Sequence, residues 1–303
     1  MSLFALPIVG SAGLGNGLLP WARAELFARE SQVCVLAPRW ARVRFGPYLR
    51  REPEKRRYGG FFFAAEHIHG IPRLALHATA RHISEGQSAY VYADAKRSSW
   101  PTVVGFEGNG ELFIPLLKED AFIRSKLWTM TRTSLRPAAD QYRKPFIALH
   151  VRRGDITRQG FTPRELVDVQ QYTPLSWFVA MVRTLRRIES VRNLPVIVFT
   201  DGSAEEMAEL LVLDSVCLHR RQLAITDLWT MSRAGLLLAS GFSTFGMWAS
   251  FLGGMPTIYA PGKLQQRVQA GRTRAIEMEV AEDEEIPRIA LPEISANAMV
   301  THE

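Results

Sequence analysis

From Phe146 onward, short apolar runs alternate with amphipathic stretches. The run FIALHV (146–151) is too short for a helix and rich in strand formers, and it predicts a buried strand. A helix follows, opened by Thr173 with Pro174 at its first position. Leu175, Phe178, Val179, Val182, Leu185 and Ile188 form its apolar stripe, while Arg183, Arg186 and Arg187 face water. Next come a strand at PVIVF (195–199) and a helix whose Ser203 and Glu206 make a capping box. A strand at VCL (216–218) precedes a helix starting near Thr226 and Asp227. The strand GLLLAS (235–240), a helix from Ser243 to Leu252 closed by Gly253, and a last strand PTIYA (256–260) complete the series. Five strands alternating with four helices, several apolar throughout, indicate a parallel sheet covered on both faces.

The first half opens in the same way. A strand near 4–9 enters the glycine-rich stretch GSAGLGNG, then a helix and the strand VCVLA (33–37). The pattern then loosens: AYVYA (89–93) and TVVGF (102–106) read as strands, and a helix covers about 112–134. The polar stretch RPAADQYRKP (136–145) marks a boundary, giving lobes 1–140 and 141–303. Two such α/β units in one chain place a ligand cleft between them.

Composition narrows the class. With 303 residues, 47% hydrophobic and 22% charged, the chain reads as a globular protein, which excludes a disordered chain or disulfide scaffold. Cys34 and Cys217 sit in strand-like runs of different lobes, so buried free thiols and a reducing compartment are expected. A net charge of +7 suits polyanions, anionic lipid or phosphorylated ligands. The most basic block, YLRREPEKRRYGG, reads as a solvated loop. No helix-turn-helix, RNA-binding sheet or zinc-finger spacing supports a nucleic-acid partner. Contact with a membrane surface stays open. The N-terminus lacks the charged region of a signal peptide. Residues 234–260 are uncharged, but their glycines and Pro256 suit strand and helix ends in a core rather than a membrane span. A cytoplasmic location is expected.

The candidate chemistry lies at strand ends. Arg152 and Arg153 follow a strand on the side where open α/β sheets bind ligands. One carboxylate, Asp155, can pair with one of them, and Arg153 is the expected partner. Two adjacent arginines therefore leave a cation for an anionic ligand, which the planar guanidinium binds bidentately. Gly241, Ser243 and Thr244 fall between a strand and a helix, where hydroxyls and amides meet the positive end of the helix dipole. Capping by Ser243 is the plain alternative. Asp201, in VFTDGS, ends another strand and suits a base or ribose, or simply a turn. Gly10, Gly13, Gly15 and Gly17 miss a dinucleotide fingerprint, which would need glycine at Leu18, and no phosphate-loop lysine follows. Glu66, His67, His69, His77 and His82 match no familiar metal spacing, and no metal is expected.

Five motifs together resemble the α-1,2-fucosyltransferases, the family 11 glycosyltransferases. GLGNG (13–17) parallels the family's GLGNQ, and HVRRGD (150–155) its HxRRGD. FTDG (199–202) parallels FSDD, while DLWTMS (227–232) and STFGMWASFL (243–252) parallel DL..MS and STFSWWGAWL. Gly17, Gly202 and Gly246–Met247 stand where the family has Gln, a second acidic residue and Ser-Trp. The resemblance implies a GT-B-like fold of two Rossmann-like αβα lobes, an acceptor-side lobe at 1–140 and a nucleotide-sugar lobe at 141–303. It implies inverting, metal-independent transfer of fucose from GDP-β-L-fucose, the donor substrate, to a glycan hydroxyl, with no cofactor. By position, Arg152 would bind the β-phosphate and stabilise leaving GDP. His150, Arg153 and Asp155 would support it, and Ser243, Thr244 and Phe245 would form the diphosphate pocket. Asp201 would face the nucleoside, and Gly13, Gly15 and Asn16 the sugar. The alternatives are a non-catalytic GDP-sugar binder, a transferase using another GDP-deoxysugar, or a basic scaffold.

Overall fold

The computed structural model describes residues 3–10, 13–40, 58–87, 89–138, 142, 145–153, 170 and 172–292. The chain divides into two compact units, Met1–Arg136 and Pro137–Glu303.

In the first unit, β1 (Leu3–Ile8) runs into α1 (Leu14–Ser31), followed by β2 (Cys34–Val35), α2 (Gly70–Thr79) and β3 (Arg81–Ser84). Then come α3 (Ala89–Arg97), β4 (Thr102–Glu107) and α4 (Asp120–Met130). The strands form a parallel sheet in the order β2-β1-β4-β3. Alternation along β1 and β4 explains their central place. Leu3, Ala5, Val104 and Phe106 pack on one face, and Phe4, Leu6 and Val103 on the other.

Two expectations fail here. AYVYA is the start of α3, not a strand: Val91 and Ala95 lie at helical spacing, and Ala95 is buried. The place beside β4 belongs to β3, whose sequence RHIS is polar because it is a mostly exposed edge strand. The long helix expected at 112–134 is shorter. Single 3₁₀ turns at Ile114–Leu116 and Thr133–Leu135 flank α4.

The second unit carries β5 (Ile147–Val151), α5 (Leu175–Arg187), β6 (Val196–Thr200), α6 (Ala208–Leu211) and β7 (Val216–Leu218). It continues with α7 (Ala224–Met231), β8 (Leu236–Ala239), α8 (Thr244–Gly253), β9 (Thr257–Tyr259) and β10 (Glu277–Glu279). Every neighbouring strand pair is parallel. The core is built from β5, β6 and β8 with the Phe178–Val182–Leu185 stripe of α5.

The capping box forms. Ser203 N–H donates to Glu206 Oε2 at 2.8 Å, and Glu206 N–H to Ser203 Oγ at 3.3 Å. Thr173, expected to open α5, does not cap it. Pro174 holds that position, and the Thr173 hydroxyl instead accepts from Gly241 N–H at 3.1 Å. The residue closing α8 is Gly254 rather than Gly253, with the left-handed φ of +68° that favours glycine. PTIYA is not the last strand, since β10 pairs beyond it. The buried carboxylate of Glu277 accepts from Val268 N–H and Gln269 N–H, each at 2.8 Å, and this lets an acidic segment enter the sheet. Neither cysteine is buried. Cys34 is half-buried and Cys217, on edge strand β7, is exposed; both are free.

Candidate functional site

The order of the second sheet, β10-β9-β8-β5-β6-β7, makes β5 the point where the chain reverses direction across the sheet. The crevice outside the carboxyl ends of β5 and β8 is therefore the topological switch point, where doubly wound sheets bind ligands. Ser240 N–H donates to His150 O at 2.9 Å, and Arg152 N–H donates to Ser240 Oγ at 3.0 Å. On the other side, Arg153 N–H donates to Asp201 Oδ1 at 2.7 Å. The backbone carrying both arginines is thus fixed from β8 and β6 alike.

The two arginines differ. Arg152 is half-exposed, whereas Arg153 is buried. Arg153 Nη1 donates to Arg152 O at 2.8 Å and Thr173 O at 3.0 Å, and its guanidinium lies 4.8 Å from the Tyr172 ring centre. Its Nη2 is buried without a partner among the described residues. Burial lowers its pKa, against the opposing charges of Tyr172, Glu206 and Asp201. Asp155, its expected partner, lies outside the described residues. Asp201, expected to face a nucleoside, commits one oxygen to the Arg153 amide.

The turn from β8 into α8 completes the site. Phe242 has a φ of +51°, a strained conformation for a bulky residue. Gly241 packs so closely that a Cβ there would stand 2.6 Å from Lys263 Cβ. Ser243 occupies the N-cap position of α8, yet its buried hydroxyl makes no capping bond and has no partner among the described residues. Thr244 and Phe245 follow, both half-buried, in the first turn of α8, at the positive end of the helix. The Phe245 ring lies 5.8 Å from that of His150, whose buried Nδ1 also has no partner among the described residues. Complete burial, reinforced by the charge of Arg152, pushes the His150 pKa down to about 3. A Cβ at Gly246 would lie 3.0 Å from His150 Nδ1, so glycine makes room for the imidazole. Similarly, a Cβ at Gly202 would lie 2.8 Å from Glu206 Oε2 and 3.0 Å from Arg153 Cβ.

His150, Arg152, Arg153, Asp201, Ser243, Thr244 and Phe245 are thus gathered in the second unit. Gly13, Gly15 and Asn16 belong to the first, where Gly13 caps α1 and Gly15 is buried in its first turn. Gly17 is there for packing, its Cβ position being 3.0 Å from Val9 Cγ1. Ser240 is not singled out by the sequence, and Thr173 is read there only as a helix start, not as part of the site. Their hydroxyls accept backbone N–H groups from other strand ends, and no local motif signals such a role. Among the described residues no group of three His, Cys, Asp or Glu side chains is placed to hold a metal ion. Nor is any helix there long and apolar enough to cross a membrane.

Two sheets of parallel strands with this architecture match the fold of the GT-B fucosyltransferases. The NodZ α-1,6-fucosyltransferase soaked with GDP-fucose superposes with a TM-score of 0.54 at 15% identity, covering 85% of this chain and 94% of that one. NodZ from Bradyrhizobium gives 0.51 at 15% identity, over 86% and 96% of the two chains. POFUT1 in complex with GDP-fucose gives 0.50 at 12% identity, over 92% and 97%. No family model and no curated protein sequence matches the chain.

Proposed function

We propose that the second unit binds the diphosphate of a GDP-sugar and that the chain transfers fucose from GDP-β-L-fucose to a glycan hydroxyl, with inversion and without a metal. The observation that carries this reading is a pair of buried groups at the switch point with no partner among the described residues, the Ser243 hydroxyl and His150 Nδ1. Buried polar groups without partners are uncommon, and a site that awaits a ligand accounts for them. Beside them Arg152 supplies a permanent cation and α8 its positive end. Structures of the same fold hold GDP or GDP-fucose, which supports the choice of nucleotide.

In this reading the acceptor hydroxyl attacks the anomeric carbon and loses its proton to solvent water while the bond to the β-phosphate oxygen breaks. The electron pair leaves with GDP, and Arg152, with the hydroxyls of Ser243 and Thr244, stabilises the charge that builds there. His150, neutral in its burial, contributes a hydrogen bond rather than a charge. Arg153 and Asp201 position Arg152 through the backbone. An α-1,2 linkage is the form suggested by the sequence motifs.

A thermal-shift panel of GDP, UDP, ADP and CMP in the presence of chelator tests the reading. GDP should raise the melting temperature most, by an amount equivalent to roughly 2.7 kcal/mol at ~100 times its Kd. An equal shift with UDP, or one that needs magnesium or manganese, contradicts it. A non-catalytic binder would give the same GDP shift and release no GDP from GDP-fucose.

A further inference from the structure

The first unit contains a cavity of about 320 Å³, at the lower end of the ~300–1,000 Å³ range of small-ligand sites. Its walls join three kinds of group. Trp40 and Phe62 pack at 4.5 Å between ring centres, and Phe63 lies beside them, 58% exposed. Arg39 and Arg132 are exposed cations on the same wall, and no acidic side chain is among the described residues that line it.

The third group is His67, buried and braced from behind. Its Nε2 lies 2.6 Å from Glu25 Oε1, which also accepts from Trp21 Nε1 at 2.9 Å, while Lys126 Nζ stands 3.4 Å from Oε2. With donors on both carboxylate oxygens, Nε2 is the protonated nitrogen of the His67 ring. In the neutral imidazole Nδ1 is then a hydrogen-bond acceptor, suited to a hydroxyl.

An apolar ring face, an acceptor for a hydroxyl and a pair of guanidinium groups without a carboxylate define one ligand chemistry. We propose that this cavity binds an anionic saccharide, a sugar ring bearing a carboxylate. The ring would stack on the aromatic wall. A hydroxyl would donate to His67 Nδ1, and the carboxylate would meet Arg39 and Arg132. The proposal rests on the transferase reading in so far as this sugar belongs to the acceptor.

Saturation-transfer NMR on the full chain, with methyl β-D-glucuronide and methyl β-D-glucoside as probes, tests it. The glucuronide should bind at least about tenfold more tightly than the glucoside. Arg39→Gln with Arg132→Gln should abolish that preference, since charge-assisted pairs carry it. Phe63→Ala should weaken both probes. All three positions are exposed, so the variants should fold, and their GDP-induced melting shift should equal that of the unaltered chain. No transfer to either probe, equal binding of the two, or glucuronide binding indifferent to the arginine changes would overturn the proposal. Glucuronide binding without any GDP shift would leave the cavity standing and remove the transferase reading.

Discussion

Replacing Ser243 with alanine separates a helix cap from a ligand group by the sign of its effect. A serine that caps its helix loses about 1 kcal/mol on truncation. Here the hydroxyl is buried, makes no capping bond and has no partner among the described residues. An unsatisfied buried polar group costs about 1–3 kcal/mol, so Ser243→Ala should leave the ligand-free protein as stable as before or raise its stability by up to ~1 kcal/mol. For a unit of this size, ~1 kcal/mol moves the melting temperature by about 2–4 °C. The ligand-bound protein should respond in the opposite direction. A hydrogen bond to a charged oxygen contributes ~1.5–3 kcal/mol, so GDP affinity should fall at least about tenfold. At GDP near 100 times the original Kd, its stabilisation then drops from ~2.7 to ~1.4 kcal/mol or less. Urea unfolding with and without GDP measures both quantities. A ligand-free variant destabilised by ~1 kcal/mol that keeps the full GDP increment would make Ser243 an ordinary cap.

Three further outcomes are expected. Gly202→Asp should cost ~1–3 kcal/mol by urea midpoint, because a Cβ there stands 2.8 Å from Glu206 Oε2, with Glu206→Ala restoring part of the loss; an unchanged midpoint contradicts the packing. His150 titrates near 3 when folded and near ~6.5 when unfolded, so its stabilisation is complete above ~6.5 and lost as pH falls toward 3. His150→Gln should therefore flatten the decline in stability between about pH 6 and 4, whose slope from this group is at most ~1.4 kcal/mol per pH unit, and equal slopes count against the burial. Cys217 is exposed but its pKa is raised by partial burial, so native labelling should be slow at neutral pH and accelerate as pH rises past the ordinary thiol range. Denatured thiol counts should be the same with and without reductant, and a missing pair would reveal a disulfide.

Much of the second unit was legible because buried parallel strands are continuous apolar runs: β5, β6 and β8 are readable without any partner. Strand order was not, since it depends on pairings between residues far apart in the chain. The switch point between β5 and β8, which places the site, emerges only from that order. β10 was missed because its sequence, Glu-Met-Glu, contains no apolar run, and the donors that satisfy Glu277 come from Val268 and Gln269. AYVYA misled because a short apolar run fits a strand and a helix segment equally well. In the site, charged and hydroxyl residues at strand ends announced themselves by type. What fixes them did not: Arg153 is held by the carbonyls of Arg152 and Thr173, and backbone acceptors leave no trace in side-chain identity. The cavity of the first unit was hidden for a related reason, its walls coming from Trp40, Phe62 and Arg132, far apart in sequence.

The central claim is that Arg152 takes the charge of the departing diphosphate. Its direct test is the rate of GDP release from GDP-β-L-fucose, with water or an added glycan as acceptor, for the unaltered chain, Arg152→Ala and Arg152→Lys, each at matched folded fraction. Loss of one preorganised donor is worth ~10²–10³ in turnover, so Arg152→Ala should fall by that factor while GDP binding weakens less. Arg152→Lys should recover little, because an ammonium keeps the charge without the bidentate contact. Near-native turnover in folded Arg152→Ala would contradict the account.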